Sequence, residues 1–549
     1  MANAIGGQAV RSTASNSGSF LLWPVALLAT PLLWFAWWIL AFPAHVFNGP
    51  RMILYDQGSM LFAVERALQG ESLYSQLAWQ YGPCALAWYK AWAWLLGNTP
   101  MTLAVASGVA TGLAWIGWIS LAAKAVGRWP AWLGGTFLLL PAMTPSCWLG
   151  INDGPHSAVV ALVLSVVAWA TYGACARTEK RWLLLLGASL GLMQLVKFGP
   201  HAVAGAAAAV AVIACSWRER AETIFASARR TLLGMLGGFA MVEIPLVATL
   251  ALKLPWHLAQ EQLWPQHILA AYSAMFHERL PRFGSWREAL GLPLPALVAL
   301  ALGLWCLFRK RNAPTEAGTV AAASYALAFS GLYFLLALPI LMRSDYAVLA
   351  GLWLPLPALA LAAGGAPWLR RTVALLVLPA AVFNASSTYT TWVQERDWHA
   401  LPLTLPNGQV LWFREKEAAQ FGTLRTQMEK AFAAKPNGAA RRMAVFGAGG
   451  GVRFFFNTSR VGRHWWYLAE FVRPWEQQNV LEDLQRHDLL LAVVELPAGP
   501  SEVVSIWTPL RPALANVFLS QLRNARVVPG IGYLLDIEAP ANAAAAINP

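Results

Sequence analysis

Residues 55–97 read YDQGSMLFAVERALQGESLYSQLAWQYGPCALAWYKAWAWLLG, and whether their second half crosses a membrane decides which side every later loop lies on. The stretch follows a strongly apolar run, opens on a carboxylate at Asp56, and then alternates apolar with polar residues. Met60, Leu61, Val64 and Leu68 recur at helical spacing behind Asp56-Gln57-Gly58-Ser59. Trp79, Trp88, Trp92 and Trp94 are spread along the second half, and Lys90 sits in its middle. That composition suits a helix lying in the interface better than one spanning the bilayer. The stretch therefore predicts two short amphipathic helices along a membrane surface, joined by a loop that ends in Tyr81-Gly82-Pro83.

The rest of the 549 residues supplies the membrane part. Apolar residues make up 57% and charged residues 12%, with 29 Trp. There are about eleven apolar runs that approach or exceed the ~20 residues a helix needs to cross a bilayer. These predict a polytopic α-helical membrane protein. Spans are expected at about 20–43, 101–123, 130–146, 156–175, 182–196, 201–216, 231–252, 290–308, 319–341, 346–366 and 372–389, with a tail at 1–19 and a first external loop at 44–99. The first run carries one preceding Arg and no small-residue cleavage site, so it reads as a retained span.

The net charge of +13 does not point to nucleic acid. Much of it falls in alternate short loops: Arg11; Lys124 and Arg128; Arg177, Lys180 and Arg181; Arg218, Arg220, Arg229 and Arg230; Arg309, Lys310 and Arg311; Arg370 and Arg371. Positive loops mark the cytoplasmic side. The alternation is regular only if 81–97 is not a span, and it leaves the segment after 389 outside. Cys84, Cys147, Cys175, Cys215 and Cys306 are scattered without a CxxC pair, which argues against a disulfide framework or a zinc site.

From about residue 390 the charge density rises and the pattern becomes that of a small α/β domain. MAVFG (443–447), LLLAVVEL (489–496) and RVVPGIGYLLDIE (526–538) read as strands, and VLEDLQRH (480–487) as a helix. The run 397–435 reads as helix-rich, with a Pro-Asn-Gly turn at 406–408. GAGGG (447–451) puts Val452 where a dinucleotide fingerprint needs its third glycine, so it reads as a glycine-rich turn.

With this topology, a set of polar residues falls on the outer face: Asp56, Tyr81, Asp153, His156, Lys197, His201, Arg343 and Asp345, and the residues of loop 253–289. Ionisable groups at membrane depth are costly, which makes them functional candidates. Other readings stand beside this one. Asp56 also fits a helix N-cap, Asp153 an Asx-turn before Gly-Pro, Lys197 a side chain snorkelling to the interface, and Arg343 with Asp345 a local ion pair. As a set they suit one chemistry. A surface carboxylate deprotonates a hydroxyl or amine as it attacks, and cations at the same depth hold a lipid phosphate and stabilise the charge that develops as it leaves.

The first loop, ALQGESLYSQ followed by QYGPCALAWYKAWAWLLG, resembles the first external loop of C-type (GT-C) glycosyltransferases. It is most similar to the branch of lipid A aminoarabinose transferases and protein O-mannosyltransferases. QLVKFGPHA is similar to their membrane-edge Lys segment, and LMRSDYAVLAGLWLPLPALALAAG to their Arg-x-Asp motif before a Pro-containing span. The chain departs from that pattern with Gln57 where many relatives have a second acidic residue, and with Tyr81-Gly82-Pro83 where they have Lys-Pro-Pro or Tyr-Pro-Pro. The resemblance implies a polyprenyl-phosphate-linked sugar donor, an envelope acceptor and inversion in a single displacement. It further implies an enzyme of the bacterial inner membrane with a periplasmic C-terminal domain at 390–549. Asp56 would be the general base or a metal-associated carboxylate, and Asp153 a second catalytic carboxylate. Lys197 and Arg343 would contact the donor phosphate, and Tyr81, His156, His201 and Asp345 the substrates. The resemblance fixes no cofactor; a divalent cation such as Mg2+ or Mn2+ is an alternative at Asp56. The competing reading is a transporter or flippase, or a polymerase or ligase, of lipid-linked glycans. No inverted repeat is visible, and the polar residues gather at one face instead of the midplane where transporters bind.

Overall fold

The computed structural model describes residues 17–41, 47, 49–54, 56–79, 81–139, 156–177, 179–220, 222–263, 325, 332–333, 400–434, 441–446, 450–459, 462–463, 472, 476–486, 489–494, 512–516, 526–528 and 532–537. The chain begins with α1 (Ser17–Ala41), followed by three helices before the next long one: α2 (Gly49–Leu54), α3 (Asp56–Leu68) and α4 (Pro83–Leu96). The membrane part continues with α5 (Pro100–Val126), α6 (Arg128–Leu139), α7 (His156–Ala176), α8 (Lys180–Gln194), α9 (Pro200–Arg220) and α10 (Ile224–Lys253), then the short α11 (Trp256–Leu263).

Four helices among the described residues are long and apolar enough to cross a membrane: Pro100–Lys124, His156–Ala176, Pro200–Trp217 and Ile224–Lys253. The chain is a membrane protein. The expected spans at 290–308, 319–341, 346–366 and 372–389 lie outside the described residues apart from isolated positions. Helix α8 has 15 residues, about 22 Å at 1.5 Å per residue, short of the ~30 Å hydrocarbon core. Helix α4, with 14 residues, is shorter still.

Trp115 and Trp118 are buried between helices, whereas Trp94, Trp129, Trp217 and Trp256 are exposed at or just beyond helix ends, where amphipathic rings meet the interface. Helix α7 is central, with 78% of its apolar window buried, and α10 is peripheral at 22%.

Helix α8 packs against α10 through small residues. A Cβ added at Gly187 would lie 1.9 Å from the Met235 carbonyl oxygen, and one at Gly238 would lie 1.9 Å from the Leu184 oxygen. Backbone-to-backbone approach of this kind holds membrane helices together by close van der Waals packing where lipid offers no hydrophobic drive. Gly187→Leu is expected to push the pair apart and cost at least about 1–3 kcal/mol, read as a lower thermal midpoint in detergent. An unchanged midpoint would refute the close crossing.

The bundle has a basic end and a site end. Helix α7 runs from His156 to Ala176, and α8 starts beyond Arg177 with Lys180 and Arg181. At the same end Arg230 of α10 pairs with Glu222 and donates to Ser216 Oγ at 2.8 Å. His156, the end of α8 and the start of α9 occupy the opposite end, because Lys197 of the α8–α9 connection reaches His156.

The C-terminal region contains a hairpin of β1 (Ala400–Thr404) and β2 (Val410–Arg414), then α12 (Glu415–Ala433). A four-stranded sheet follows, made of β3 (Met443–Phe446), β4 (Leu489–Val494), β5 (Arg526–Val528) and β6 (Gly532–Ile537) in the order β3-β4-β6-β5. The first pair is parallel and the others are antiparallel. Between β3 and β4 lie α13 (Gly451–Phe455) and α14 (Gln477–Arg486). The hairpin corrects the helix-rich reading of 397–435 in its first part, whereas α12 bears it out in the second. The Pro-Asn-Gly signal makes a tight turn, with Gly408 at φ 81° and Leu405 N donating to Gln409 O at 2.9 Å.

Helix α3 also departs from expectation. It is not a surface helix with one wet face, because every residue from Gln57 to Val64 is buried. Part of its covering comes from α13. A Cβ at Gly58 would lie 2.6 Å from Gly451 Cα, and one at Gly451 would lie 2.2 Å from the Met52 oxygen. The buried Arg453 guanidinium stands 5.9 Å from the Phe62 ring centre, a cation–π distance. The last glycine of GAGGG thus serves a helix crossing, not a phosphate. Close by, Trp412 N donates to Phe47 O at 2.9 Å, joining β2 to the start of the loop.

Candidate active site in the first external loop

Helix α3 starts on Asp56, which places a carboxylate at a helix N-terminus, where the backbone dipole favours negative charge. The chain leaves α3 through Gly70 at φ 88° and returns by a tight turn in which Tyr74 N donates to Leu77 O at 2.8 Å. Tyr74 itself has φ 70°, an uncommon conformation for a residue with a Cβ. Its buried hydroxyl donates to Tyr81 O at 3.2 Å, and Trp79 Nε1 donates to Gly82 O at 3.0 Å. Burial pushes the Tyr74 phenol above its usual range, with Cys84 adding in the same direction. It is a fixed structural donor.

Two backbone bonds then join this loop to the α8–α9 connection. Gly82 N donates to Val196 O at 3.2 Å and Cys84 N to Leu195 O at 2.9 Å. The approach leaves no room for a side chain, since a Cβ on Gly82 would lie 1.9 Å from Leu195 O. The contact sets Tyr81 beside Lys197. On the other side α4 is fixed to α5 by Trp88 Nε1 to Ala106 O at 3.1 Å and by Tyr89 with Ser107 at 2.7 Å.

Four side chains from distant parts of the sequence meet here. The Tyr81 hydroxyl donates to Asp56 Oδ2 at 3.1 Å. The Tyr81 ring stacks on His156 with centroids 4.2 Å apart and planes 30° apart. Lys197 Nζ lies 3.0 Å from His156 Nε2. An ammonium is donor only, so a charged Lys197 meets this nitrogen in the tautomer that leaves Nε2 free to accept. The line runs carboxylate, phenol, imidazole, ammonium. It offers a proton acceptor at one end and an anion contact at the other.

No family model matches the chain, and no curated protein matches it. Among solved structures it is similar to ArnT from Cupriavidus metallidurans bound to undecaprenyl phosphate, at 14% identity and a TM-score of 0.42. That match covers 95% of this chain and 98% of the other. It is also similar to the archaeal oligosaccharyltransferase AglB from Archaeoglobus fulgidus in complex with an inhibitory peptide and a dolichol-phosphate, at 11% identity and a TM-score of 0.47, covering 90% and 72%. A third is the Archaeoglobus fulgidus oligosaccharyltransferase in complex with zinc and sulfate, at 12% identity and a TM-score of 0.42, covering 79% and 62%.

Of the eight candidate residues, Asp56, Tyr81, His156 and Lys197 come together. His201, in the first turn of α9, has its ring edge-on to Phe198 at 5.3 Å and stacked on Phe239 at 6.1 Å. No described hydrogen bond links it to Tyr81 or Lys197. Asp153, Arg343 and Asp345 lie outside the described residues, as do His267, His277 and Glu278.

A divalent cation takes several oxygen ligands; among the described contacts, Asp56 meets the Tyr81 phenol. No group of three or more His, Cys, Asp or Glu able to hold a metal occurs among the described residues.

Sequence reading missed Tyr74 and the role of Gly82. The signal for Gly82 was present in Tyr-Gly-Pro, because a glycine in a loop lets another backbone approach closely. Tyr74 gave none.

Proposed function

We propose that this chain is an integral-membrane glycosyltransferase. It transfers a sugar from a polyprenyl-phosphate-linked donor to a lipid, glycan or protein acceptor of the cell envelope, with inversion. The observation that carries the reading is the Asp56–Tyr81–His156–Lys197 line at the end of the bundle opposite Lys180, Arg181 and Arg230. Because basic loops face the cytoplasm, that position supports a site on the outer face of the inner membrane, with the C-terminal region periplasmic.

In this mechanism the acceptor hydroxyl attacks the anomeric carbon from the side opposite the phosphate. Its proton passes to the Asp56 carboxylate as the new carbon–oxygen bond forms. The anomeric carbon–oxygen bond breaks, and polyprenyl phosphate leaves with the electron pair. Lys197 stabilises the charge growing on the phosphate, held in place by His156. The Tyr81 hydroxyl orients Asp56 and favours its ionised form, since hydrogen bonds to a charged form favour it. Arg343 would be a second phosphate contact, Asp153 a second carboxylate, and His201 and Asp345 substrate contacts.

The test uses purified full-length protein in liposomes with a polyprenyl-phosphate sugar and an envelope lipid extract as acceptor. Time-dependent release of polyprenyl phosphate with sugar appearing on the acceptor is expected. Movement of intact donor between leaflets without release would overturn the reading in favour of a flippase.

A further inference from the structure

The loop that carries Tyr81 is held from the far end of the chain. Arg463 Nη1 donates to Tyr74 O at 2.6 Å, and the Arg463 carbonyl accepts from Ala78 N at 2.9 Å. One residue therefore grips the turn 74–78 with both its side chain and its backbone, across 389 positions of sequence. The guanidinium is itself fixed by an ion pair with Glu476, whose side chain is only 4% exposed. A buried charge-assisted pair of this kind has a defined geometry.

What Arg463 grips is the strained part of the loop. Tyr74 has φ 70° and is buried, a conformation that persists only where its surroundings over-determine it. From there the route is continuous. Tyr74 OH holds Tyr81 O at 3.2 Å, and Tyr81 OH holds Asp56 Oδ2 at 3.1 Å.

We infer that Arg463 is a positioning residue, acting from the C-terminal region through Tyr74 and Tyr81 to aim the Asp56 carboxylate. The inference rests on the reading of Asp56 as the base. It assigns the C-terminal region a part in turnover: the site in the first loop is complete only when Arg463 and Glu476 are docked on it. A guanidinium suits this place because its fork bonds a carboxylate and a carbonyl at once.

The experiment compares Arg463→Ala and Arg463→Lys in the wild-type chain and in a Tyr81→Phe chain. In the wild-type chain Arg463→Ala is expected to lower kcat by about 10- to 100-fold while donor KM stays within about threefold, because aim is lost and binding is not. Arg463→Lys keeps the charge against Glu476 and is expected in between. In the Tyr81→Phe chain Arg463→Ala should cost less than about threefold further, since the route ends at the hydroxyl already removed. Equal losses in both chains would overturn the inference, as would full activity of Arg463→Ala.

A second arm needs no activity. Hydrogen exchange of full-length Arg463→Ala should be faster in peptides covering 72–82 and unchanged in α12. Unchanged exchange at 72–82, or faster exchange in both segments, also overturns it. If the wild-type protein releases no polyprenyl phosphate, the proposed function fails, and the exchange arm still decides whether Arg463 holds the loop.

Discussion

Asp56→Asn is expected to lower the rate of polyprenyl-phosphate release by roughly 10²–10⁴-fold, the contribution a positioned general base makes. Donor binding should be little changed. The substitution suits the question because the carboxamide has nearly the same shape and its oxygen still accepts from the Tyr81 hydroxyl that now sits 3.1 Å from Oδ2. It cannot take a proton from an attacking hydroxyl at neutral pH. The same variant separates the two readings of this position. As an N-cap, Asn serves about as well as Asp, so a purely structural Asp56 would leave turnover near wild type. Losing a carboxylate at the start of α3 costs only about 0.3–1 kcal/mol through the helix dipole. The thermal midpoint should therefore barely move while activity collapses. The measurements are single-turnover release of polyprenyl phosphate and thermal unfolding of the same preparation. Retained turnover would remove Asp56 from the mechanism.

Local pattern revealed some parts of the structure and not others, for physical reasons. Helix starts were legible where they carry their own chemistry. Asp56 opens α3 and Pro83 opens α4, because a carboxylate and a proline each suit a first helical position. That Asp56, Tyr81, His156 and Lys197 share one end of the bundle follows from spans alternating in direction, which charged loops disclose. The hairpin at 400–414 is not legible as strands because Pro402 weakens a strand signal, and two short strands next to the 19-residue α12 look like its continuation. The burial of α3 was not legible at all. Its polar residues Gln57 and Ser59 suggest a wet face, yet both are 1% exposed because α13, nearly four hundred positions later, lies across Gly58. Arg463 was invisible for the same reason: nothing near it in sequence refers to Tyr74.

That pairing of far segments gives the glycines a shared logic. Gly58 and Gly451 let α3 and α13 cross, Gly187 and Gly238 let α8 and α10 cross, and Gly82 lets the first loop touch the α8–α9 connection. In each case the neighbour is backbone, which cannot rotate away as a side chain can. The three contacts differ in what they support. The first covers the helix that starts with Asp56, the second holds the bundle, and the third sets the distance between the two halves of the site.

Gly82→Ala is accordingly expected to lower kcat by about 10²-fold, the size of loss that a misplacement of about 1 Å can cause, with the fold retained. Gly82 has φ −67° and ψ 160°, a conformation any residue adopts, so backbone strain plays no part and the effect is one of space alone. The added methyl would lie 1.9 Å from Leu195 O, 2.1 Å from its carbonyl carbon and 2.7 Å from its Cα, where ordinary contact begins at 3.4 Å. The two strands of backbone must separate, and the bonds from Gly82 N to Val196 O and from Cys84 N to Leu195 O lengthen or break. Tyr81 and Asp56 lie on one side of that seam and Lys197 on the other, so the base and the phosphate contact move apart together with their substrates. Helices α8 and α10 keep their own packing, and the thermal midpoint should fall by far less than in Gly187→Leu. Gly422→Ala is the control, because a Cβ there meets nothing within 4 Å and alanine favours a helix; it should leave turnover unchanged. Steady-state release of polyprenyl phosphate by the three proteins decides the matter. Wild-type turnover in Gly82→Ala would mean that the spacing between Tyr81 and Lys197 is not what the reaction depends on.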